Sequence, residues 1–460
     1  MQNMAGREFN AESYAMSADD IMGPWSKPLY LTSIGFDPSL YHENGCHYLA
    51  ILEWETRSGY QAPGTIVLSE VDLQTGRLLK GWQRITNGFT TRGCVEAPQL
   101  YKHGDYYYMM LASGGTGYAH GVEIGRAKDI FGPYEPNPTN EPILTSSPRH
   151  LFSLGDPDAG HFEMYNPKSL MQKAGHGSLV ETPDHEFYIA HLMSRPLPNT
   201  TLNPLGRETS LQKVRWTEDG WLELADGTNL AKMETPASKA AAADAQPASF
   251  DIYDAFSTGK YNKAFMTPYH QPDLSWVAVE NNHLVLSGRG SFFSQNNPSI
   301  MATRATSFAY TLQTKLDFRP EHFSQTAGAG LYYDSNNWIY AYIGLNDKEN
   351  QRVISILQAK LGTRIAFDFD TVAIPEDAVP EIRWRYESGK AQAFYRLTET
   401  SEWQALAEPV DVSYLSDEGV NGEPGEIGGF TALFNFIGSV DAYQHNSHAD
   451  FYYYKVENDA

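Results

Sequence analysis

The chain has 460 residues, which is too long for one ordinary domain and long enough for two compact units with sizeable cores. Its 34 Lys and Arg residues against 56 Asp and Glu residues give a net charge of -22, which argues against nucleic acid and anionic membrane surfaces as partners. Cys46 and Cys94 are the only cysteines, so a disulfide framework is excluded and a reduced, cytoplasmic protein is expected.

The N-terminal residues 1–20 contain no basic stretch followed by an apolar run, so the sequence predicts no export signal. Further along, no apolar stretch approaches the roughly 20 residues of a membrane span. Short runs of Tyr, Val, Ile, Leu and Phe recur instead, and they are interrupted by Gly, Asn, Asp and Pro. Aromatic residues make up 13% of the chain, and flat rings suit both β-sheets and stacking on sugar faces. The pattern predicts an all-β protein.

An internal repeat organises the N-terminal half of the chain. Residues 37–52 begin Asp-Pro-Ser-Leu-Tyr, residues 96–111 begin Glu-Ala-Pro-Gln-Leu-Tyr, and a third copy covers residues 176–190. Each copy opens on a polar residue and predicts a short strand, a tight turn and a second, more apolar strand.

A second repeat alternates with the first. Residues 17–25, Ser-Ala-Asp-Asp-Ile-Met-Gly-Pro-Trp, match residues 126–134, Arg-Ala-Lys-Asp-Ile-Phe-Gly-Pro-Tyr, and both precede another short strand. Repeated four-stranded units are the signature of β-propeller blades. Residues 1–31 supply only the last strands of one unit before three further units end near Trp221. Since propellers usually close with about four to eight blades, the sequence predicts an incomplete propeller.

The composition changes after the last blade. Residues 225–249 are rich in Ala, Lys, Thr, Asp and Pro and have almost no large apolar side chain, which is typical of a linker. Several later segments alternate apolar and polar residues at strand spacing: 283–287, 308–318, 328–333, 338–344 and 352–360. We therefore predict an incomplete propeller over residues 1–224, a linker over 225–249 and a jelly-roll-like β-sandwich over 250–460.

Asp37, Glu96 and His176 open the strand that is expected to be innermost in each blade. Innermost strands line the central channel of a propeller, so these side chains are expected to converge. Their registers differ, because Glu96 lies four residues before its Leu-Tyr pair and Asp37 lies three residues before its own. A bulge at Ala97-Pro98 is expected to absorb the extra residue.

Two carboxyl groups across a sugar-sized gap are what glycoside hydrolysis needs, since one must arrive protonated to release the leaving oxygen. Glu96 follows Cys94 and Val95, an apolar approach that favours a protonated acid if the residue is buried. The sequence therefore predicts Glu96 as a general acid. The alternative is that Asp37 and Glu96 are surface caps, and only their recurrence in register argues against it.

Five segments carry a family resemblance. They are residues 35–40 (GFDPSL), 96–101 (EAPQLY), 114–118 (GGTGY), 175–182 (GHGSLVET) and 204–209 (PLGRET). In this order they resemble the β-xylosidases of glycoside hydrolase family 43. The sandwich resembles the C-terminal domain of these enzymes, so the similarity covers nearly the whole chain.

The resemblance implies a five-bladed propeller, here lacking its first blade and part of its second. It implies an inverting hydrolase of β-1,4-xylo-oligosaccharides, with α-L-arabinofuranosidase activity in some relatives. Glu96 matches the general acid, and Asp37 matches the carboxylate that orients this acid and tunes its pKa. Substrate-binding roles are implied for five further residues: Trp54, Thr116, His176, Arg207 and Phe434.

The resemblance implies no required cofactor, although some relatives hold a divalent cation such as calcium at the position of His176. A lone His between glycines is more typical of a hydrogen-bonded channel residue than of a metal ligand. Without the motif context, Arg207 and Glu208 would fit a salt-bridged turn, and Trp54 and Phe434 would fit core aromatics.

The sequence departs from the family pattern at the general base, an Asp near the start of the first blade. Asp19 and Asp20 cannot replace it, because they belong to the Gly-Pro repeat. An inverting mechanism needs a base to activate water, so the activity of this chain alone is expected to be impaired. Smaller departures are Ala97 in place of Gly, Ser113 in place of Glu, and an insertion over residues 146–167 that is expected to form a surface loop.

Three alternatives stay open at this point. The chain could be a sugar-binding protein without catalysis, an enzyme of arabinan or arabinoxylan side chains, or one part of a split enzyme completed by a separate polypeptide. An oligosaccharide is the expected partner in each case. An open propeller edge would also favour association of copies into a homo-oligomer.

Overall fold

The computed structural model describes residues 2–3, 11–55, 57, 64–147, 162–240, 248–366, 371–420 and 428–459. These residues form β-strands and one short 3₁₀ helix, Phe162–Met164, which confirms the all-β prediction. No helix in the described ranges is long and apolar enough to cross a membrane. Of the predicted insertion, residues 148–161 lie outside the described residues.

The chain forms two compact units. Unit 1 comprises Met1–Ser194 and Glu208–Ala245, and unit 2 comprises Arg195–Arg207 and Gln246–Ala460. The segment Arg195–Arg207, which the sequence analysis assigned to the propeller, is therefore part of the C-terminal unit. Within unit 2, Leu205 is buried in the main core and the Leu433 N–H donates to the Pro204 carbonyl at 2.8 Å.

The described residues of unit 1 form four antiparallel sheets of the propeller type. The first two sheets contain β1 (Gln2–Asn3), β2 (Glu12–Ala15) and β3 (Leu29–Thr32), then β4 (Gly35–Glu43), β5 (Cys46–Trp54), β6 (Gly64–Glu70) and β7 (Gln83–Thr86). The other two contain β8 (Glu96–His103), β9 (Tyr106–Ser113), β10 (Gly121–Ala127), β11 (Glu135–Pro136) and β12 (Leu144–Thr145), then β13 (Gln172–Glu181), β14 (Phe187–Ser194), β15 (Glu208–Trp216) and β16 (Leu222–Leu224). Strands that follow each other in the chain are neighbours in the sheet, except that β12 pairs with β10.

Strand β9 shows why the sequence of a blade strand can be a continuous apolar run. Its side chains alternate between the two faces of the sheet. Met109 and Leu111 pack toward the sheet β4–β7, while Tyr108 and Met110 pack toward the sheet β13–β16. Both faces are buried, so the run needs no polar residue at every second position.

The first strand of each complete sheet carries a β-bulge at the same place. The pairing shifts between Phe36 and Ser39 on β4, between Glu96 and Gln99 on β8, and between Gly175 and Ser178 on β13. The bulge predicted on β8 is present, but it does not absorb the extra residue, because all three strands have one. Glu96 therefore occupies the position of Phe36 and Gly175, one residue before the position that Asp37 shares with His176.

The residue that enters each bulge has a left-handed backbone. The φ angles are 56° at Asp37, 51° at Ala97 and 53° at His176. A side chain in this conformation costs of order 1–2 kcal/mol, and such strain tends to persist at functional sites. A bulge also redirects the neighbouring side chains, so the three strands present these positions in the same way.

The two Gly-Pro repeats fold into the same turn but differ in burial. The Asp20 and Asp129 carboxylates each accept a hydrogen bond from the N–H two residues later, at 2.8 and 2.9 Å. Ile130 is 7% exposed, in the core shared with the sheet β4–β7, whereas Ile21 is 79% exposed. The first turn therefore exposes an apolar side chain that the second turn buries.

This difference gives a matched pair of stability predictions. Ile130→Ala should lower the free energy of unfolding by about 3 kcal/mol, because it leaves a cavity in a closed core. Ile21→Ala should change it by less than about 0.5 kcal/mol, since the side chain is already in water. Urea unfolding of the two variants, followed by fluorescence, measures both, and equal losses would contradict the burial difference.

Unit 2 is a sandwich of two antiparallel sheets. The nine-stranded sheet contains β17 (Ile252–Asp254), β18 (Val277–Glu280), β19 (His283–Ser287), β21 (Ala309–Phe318), β27 (Glu381–Glu387), β28 (Lys390–Arg396), β29 (Gln404–Ala405), β30 (Val410–Asp411) and β32 (His448–Asn458). The seven-stranded sheet contains β20 (Ser299–Arg304), β22 (Gln325–Asp334), β23 (Asn337–Asn346), β24 (Gln351–Lys360), β25 (Thr363–Ala366), β26 (Val372–Ala373) and β31 (Phe434–Asp441). The core lies between the sheets, where Leu312 and Leu316 of one meet Leu331 and Ile339 of the other.

Residues 225–240, the first part of the predicted linker, are bonded to unit 1. The Gln212 side chain accepts from the Lys232 N–H at 3.1 Å, and the Tyr188 hydroxyl donates to the Pro236 carbonyl at 2.9 Å. The Asp184 carboxylate accepts from the Ala240 N–H at 3.0 Å. The segment has few apolar side chains, but hydrogen bonds from its backbone hold it to the rest of unit 1. Residues 241–247 lie outside the described residues.

Candidate active site

The bulged strands of unit 1 contact one another beside their bulges. The Ser39 hydroxyl on β4 donates to the Pro98 carbonyl on β8. The Gln99 amide on β8 donates to the Ser178 hydroxyl on β13 at 2.7 Å. The three bulges therefore lie next to each other, which is the convergence that the repeat predicted.

Asp37 links two of these strands to its own. Its carboxylate accepts a hydrogen bond from the Ala97 N–H, directly after Glu96, and is close enough to His176 for a charge interaction. Burial raises the pKa of Asp37, and the interaction with His176 and the Ala97 hydrogen bond partly oppose this rise. Asp37 is thus held one residue away from Glu96.

Glu96 begins β8 and lies opposite Ala112 on β9. The two residues before it are buried, since Cys94 is 7% exposed and Val95 is 2% exposed. Cys94 also has a left-handed backbone, with φ 48°. The chain therefore enters the strand at Glu96 in a fixed, apolar surrounding.

Two buried charged residues hold the loop that ends at Glu96. The Glu123 carboxylate accepts hydrogen bonds from the Phe89 N–H at 2.8 Å and from the Thr90 hydroxyl at 2.6 Å, and burial raises its pKa. The Arg92 guanidinium donates to the Thr145 hydroxyl at 2.9 Å and to the Ser147 carbonyl at 2.6 Å. Burial lowers the pKa of Arg92 to about 10, so the residue stays charged near neutral pH.

Glu123 and Arg92 were not among the predicted site residues. The available signal was a single charge inside an apolar strand, Gly-Val-Glu-Ile-Gly, because a buried charge must be paired or hydrogen-bonded. Ser113 on β9 lies close enough to Glu123 to oppose part of the rise in its pKa.

Trp54 and Thr116 lie at the same end of their sheets as the bulges. Trp54 ends β5, and its partly exposed ring meets Phe36 edge-to-face with centroids 5.1 Å apart. Thr116 is partly exposed in a turn whose other residues, 114–118, are buried. Both positions fit a pocket wall beside the bulges.

His176 is the residue that the resemblance connects with a divalent cation. Next to it, a Cβ on Gly175 would lie 2.4 Å from the ring of His120, so only glycine fits there. Calcium takes six to eight oxygen ligands. Within the described ranges, no group of three or more His, Cys, Asp or Glu side chains could hold a metal ion. In the described part of the chain, His176 therefore belongs to no such group of side chains.

Arg207 and Phe434, the other two predicted site residues, belong to unit 2. An Arg207 Nη1 atom lies 2.6 Å from Asp417 Oδ2, and the Tyr333 hydroxyl donates to Asp417 Oδ1 at 2.6 Å. Asp417 is fully buried and Arg207 nearly so. The guanidinium is therefore held in one orientation by a buried carboxylate.

Phe430 is the aromatic residue beside Arg207. Its ring centroid lies 5.2 Å from the guanidinium carbon, and the residue is 56% exposed. Phe434, four residues later, pairs with Tyr332 across β22 and β31. The motif Phe-Thr-Ala-Leu-Phe contains both rings, and sequence reasoning selected the second. That Phe434 binds substrate stays a prediction.

Comparison with known proteins extends over both units. The chain is 31% identical over 448 residues to xylosidase/arabinosidase 43B of Humicola insolens, covering 96% of this chain and 78% of the relative. It is 32% identical to xylan 1,3-beta-xylosidase of a Vibrio species, covering 96% and 80%. The crystal structure of xylan beta-1,4-xylosidase from Bacillus halodurans C-125 is similar with a TM-score of 0.88 at 32% identity, covering 97% of this chain and 81% of that one.

Two family models match in the order of the units. Residues 3–222 match the model described as glycosyl hydrolases family 43, and residues 253–457 match the beta xylosidase C-terminal concanavalin A-like domain. With relatives above 30% identity over most of their length, the chain belongs to glycosyl hydrolases family 43.

Proposed function

We propose that the chain acts on β-1,4-xylo-oligosaccharides as an inverting glycosidase in which Glu96 protonates the leaving oxygen. The observation that carries the proposal is the hydrogen bond from the Ala97 N–H to Asp37, which fixes a second carboxylate one residue from Glu96. An apolar surrounding favours the protonated form of a carboxyl group, and Cys94 and Val95, which precede Glu96, are buried. A general acid must arrive protonated, so this arrangement suits Glu96 to that role.

In the proposed reaction the proton passes directly from Glu96 to the substrate. Glu96 delivers its proton to the glycosidic oxygen as the bond from that oxygen to C1 breaks, and Asp37 orients the acid and favours its protonated form. Trp54 and Thr116 supply a ring face and a hydroxyl for the sugar beside the bulges. We propose that this chemistry needs no metal ion, so the reaction should run equally well in EDTA.

The bulge positions of the three strands do not supply a general base. At the bulge positions of β4, β8 and β13 the chain places Phe36, Glu96 and Gly175, followed by Asp37, Ala97 and His176. These positions supply two carboxylates, and Asp37 is engaged by the backbone next to the acid. An inverting mechanism also needs a base on the opposite face of the sugar. We therefore expect slow turnover by this chain alone.

Azide provides the test of this account. The anion can attack C1 on the face opposite the leaving group without a general base, so it should replace the activated water. We expect azide to raise turnover of xylobiose and to give α-xylosyl azide. Sugar binding with no turnover, with or without azide, would instead favour a saccharide-binding protein.

α-L-Arabinofuranoside cleavage is a second candidate activity, and the names of the relatives favour it. The Humicola insolens relative is named for both sugars, and a relative from Bacteroides ovatus is a non-reducing end alpha-L-arabinofuranosidase. Assays with an aryl β-D-xyloside and an aryl α-L-arabinofuranoside, both in azide, measure the preference. We expect the xyloside to be the better substrate.

The raised pKa of Asp37 also predicts a gain in stability on its removal. Below the pKa of the unfolded chain both states are protonated and the carboxyl contributes nothing. Above it, the unfolded state ionises first, so the buried carboxyl lowers the stability of the native state. Asp37→Asn should therefore raise the free energy of unfolding at pH 7 but not at pH 3, while lowering turnover. Urea unfolding at both pH values measures this, and a loss at pH 7 would contradict it.

A further inference from the structure

We propose that unit 2 carries a saccharide-binding subsite of its own. The site is a cavity of about 290 Å³ within the sandwich unit. Its wall includes the aromatic side chains of Tyr269, Tyr332 and Phe434, together with the Asp334 carboxylate. A mostly apolar concavity with a few polar groups is the usual form of a small-molecule site.

Tyr269 is the exposed ring of this cavity. The residue is 55% exposed and has a left-handed backbone, with φ 67°. Its loop is fixed on one side by two hydrogen bonds between Met266 and Ala302, at 2.7 and 2.9 Å. On the other side His270 is held by the Arg289 guanidinium at 2.8 Å. A strained backbone thus presents a large ring toward solvent, and such strain is common where a ligand is held.

Tyr332 and Phe434 form the floor. They are directly opposite on β22 and β31, so their side chains lie on the same face of the sheet. The Tyr332 hydroxyl lies close to Tyr269, which places the exposed ring beside the floor. Burial raises the pKa of Tyr332, and the nearby Tyr269 and Asp334 raise it further. Hydroxyl and carboxylate groups therefore meet at the edge of an aromatic surface.

The Asp334 carboxylate is aimed by its own turn. Its Oδ1 atom accepts from the Asn336 N–H at 2.8 Å and from the Asn337 side-chain amide at 2.9 Å. Both of these hydrogen bonds end on the same oxygen, Oδ1. In the proposed subsite, the other carboxylate oxygen, Oδ2, accepts a hydrogen bond from a ligand hydroxyl.

These features select a neutral sugar. A pyranose offers an apolar C–H face for stacking on Tyr269 and hydroxyl groups for Asp334 and Tyr332. An anionic ligand is disfavoured by Asp334 and by the net charge of -22. The volume, at the lower end of ligand pockets, suits one or two sugar rings. The choice of xylose as the sugar rests on the proposed function, whereas the subsite itself does not require Glu96.

The subsite can be tested by calorimetry with xylobiose and xylotriose on the full chain and three variants. Tyr269→Ala removes the exposed ring, and Tyr253→Ala is the matched control, since Tyr253 is 65% exposed on β17 of the same unit. Glu96→Gln is the third variant. Both tyrosines are exposed, so unchanged urea unfolding curves are expected and verify folding.

We expect Tyr269→Ala to weaken xylotriose binding at one site by at least about tenfold, in line with the loss of one stacked ring. Tyr253→Ala should have no effect, and Glu96→Gln should keep the Tyr269-dependent event. Identical isotherms for Tyr269→Ala and the unchanged chain, or a Tyr269-dependent site that takes indole but no sugar, would overturn the proposal. Failure of azide-dependent turnover with intact Tyr269-dependent binding would count against the proposed function alone.

Discussion

Glu96→Gln is expected to lower azide-dependent cleavage of xylobiose by about 10²- to 10⁴-fold, the usual contribution of general acid catalysis. Glutamine keeps the size of the side chain but has no proton to give. Sugars with a strongly acidic leaving group need less protonation, so a dinitrophenyl xyloside should lose much less. Initial rates of product formation with the two substrates measure the difference.

The control for this prediction lies in the same sheet. Glu135 on β11 is exposed, and Glu135→Gln should leave both rates unchanged. An equal loss of rate with both substrates in Glu96→Gln would mean that the residue positions the sugar and does not transfer the proton.

Asp417→Asn is expected to lower the free energy of unfolding by about 3–5 kcal/mol, because it leaves the buried Arg207 guanidinium without its counter-charge. Tyr333→Phe removes one hydrogen bond to the same carboxylate and should cost only about 1–2 kcal/mol. Affinity for xylobiose should fall in Asp417→Asn if Arg207 binds substrate. Urea unfolding and calorimetry give the two quantities separately.

An exposed ion pair provides the comparison. Arg215 and Glu223 are 2.6 Å apart at the surface of unit 1, and Glu223→Gln should change stability by less than about 1 kcal/mol. A double variant, Arg207→Met with Asp417→Leu, should recover much of the stability lost in Asp417→Asn, since apolar side chains can replace a buried pair. A loss as large as that of Asp417→Asn would show that the hydrogen bonds around the pair matter more than its charge.

Much of the fold could be predicted because the sequence of the N-terminal half contains internal repeats. The hairpins of 37–52, 96–111 and 176–190 became β4–β5, β8–β9 and β13–β14, and the alternating segments after residue 250 became strands of the sandwich. Periodicity reports which side chains are buried, and burial dominates strand formation. The allocation of Arg195–Arg207 to unit 2 had no such signal, since it depends on Arg207 meeting Asp417, 210 residues away.

The register of the predicted site residues could not be derived from the sequence. Asp37 and His176 occupy equivalent bulge positions, whereas Glu96 stands one residue earlier, and a bulge common to all strands leaves no trace in a comparison between them. Nor does the sequence show which of Phe430 and Phe434 lies beside Arg207, because both are aromatic residues in one short motif. In the structure, the Arg207 guanidinium lies over the Phe430 ring.

The most direct measurement is ¹H NMR of xylobiose incubated with the full chain in the presence and absence of azide. The account predicts slow hydrolysis without azide and formation of α-xylosyl azide with it, at a rate that Glu96→Gln abolishes. Formation of β-xylosyl azide, or fast azide-independent hydrolysis that Glu96→Gln abolishes, would contradict the account, because either result requires a nucleophile or base that Asp37 and Glu96 do not supply.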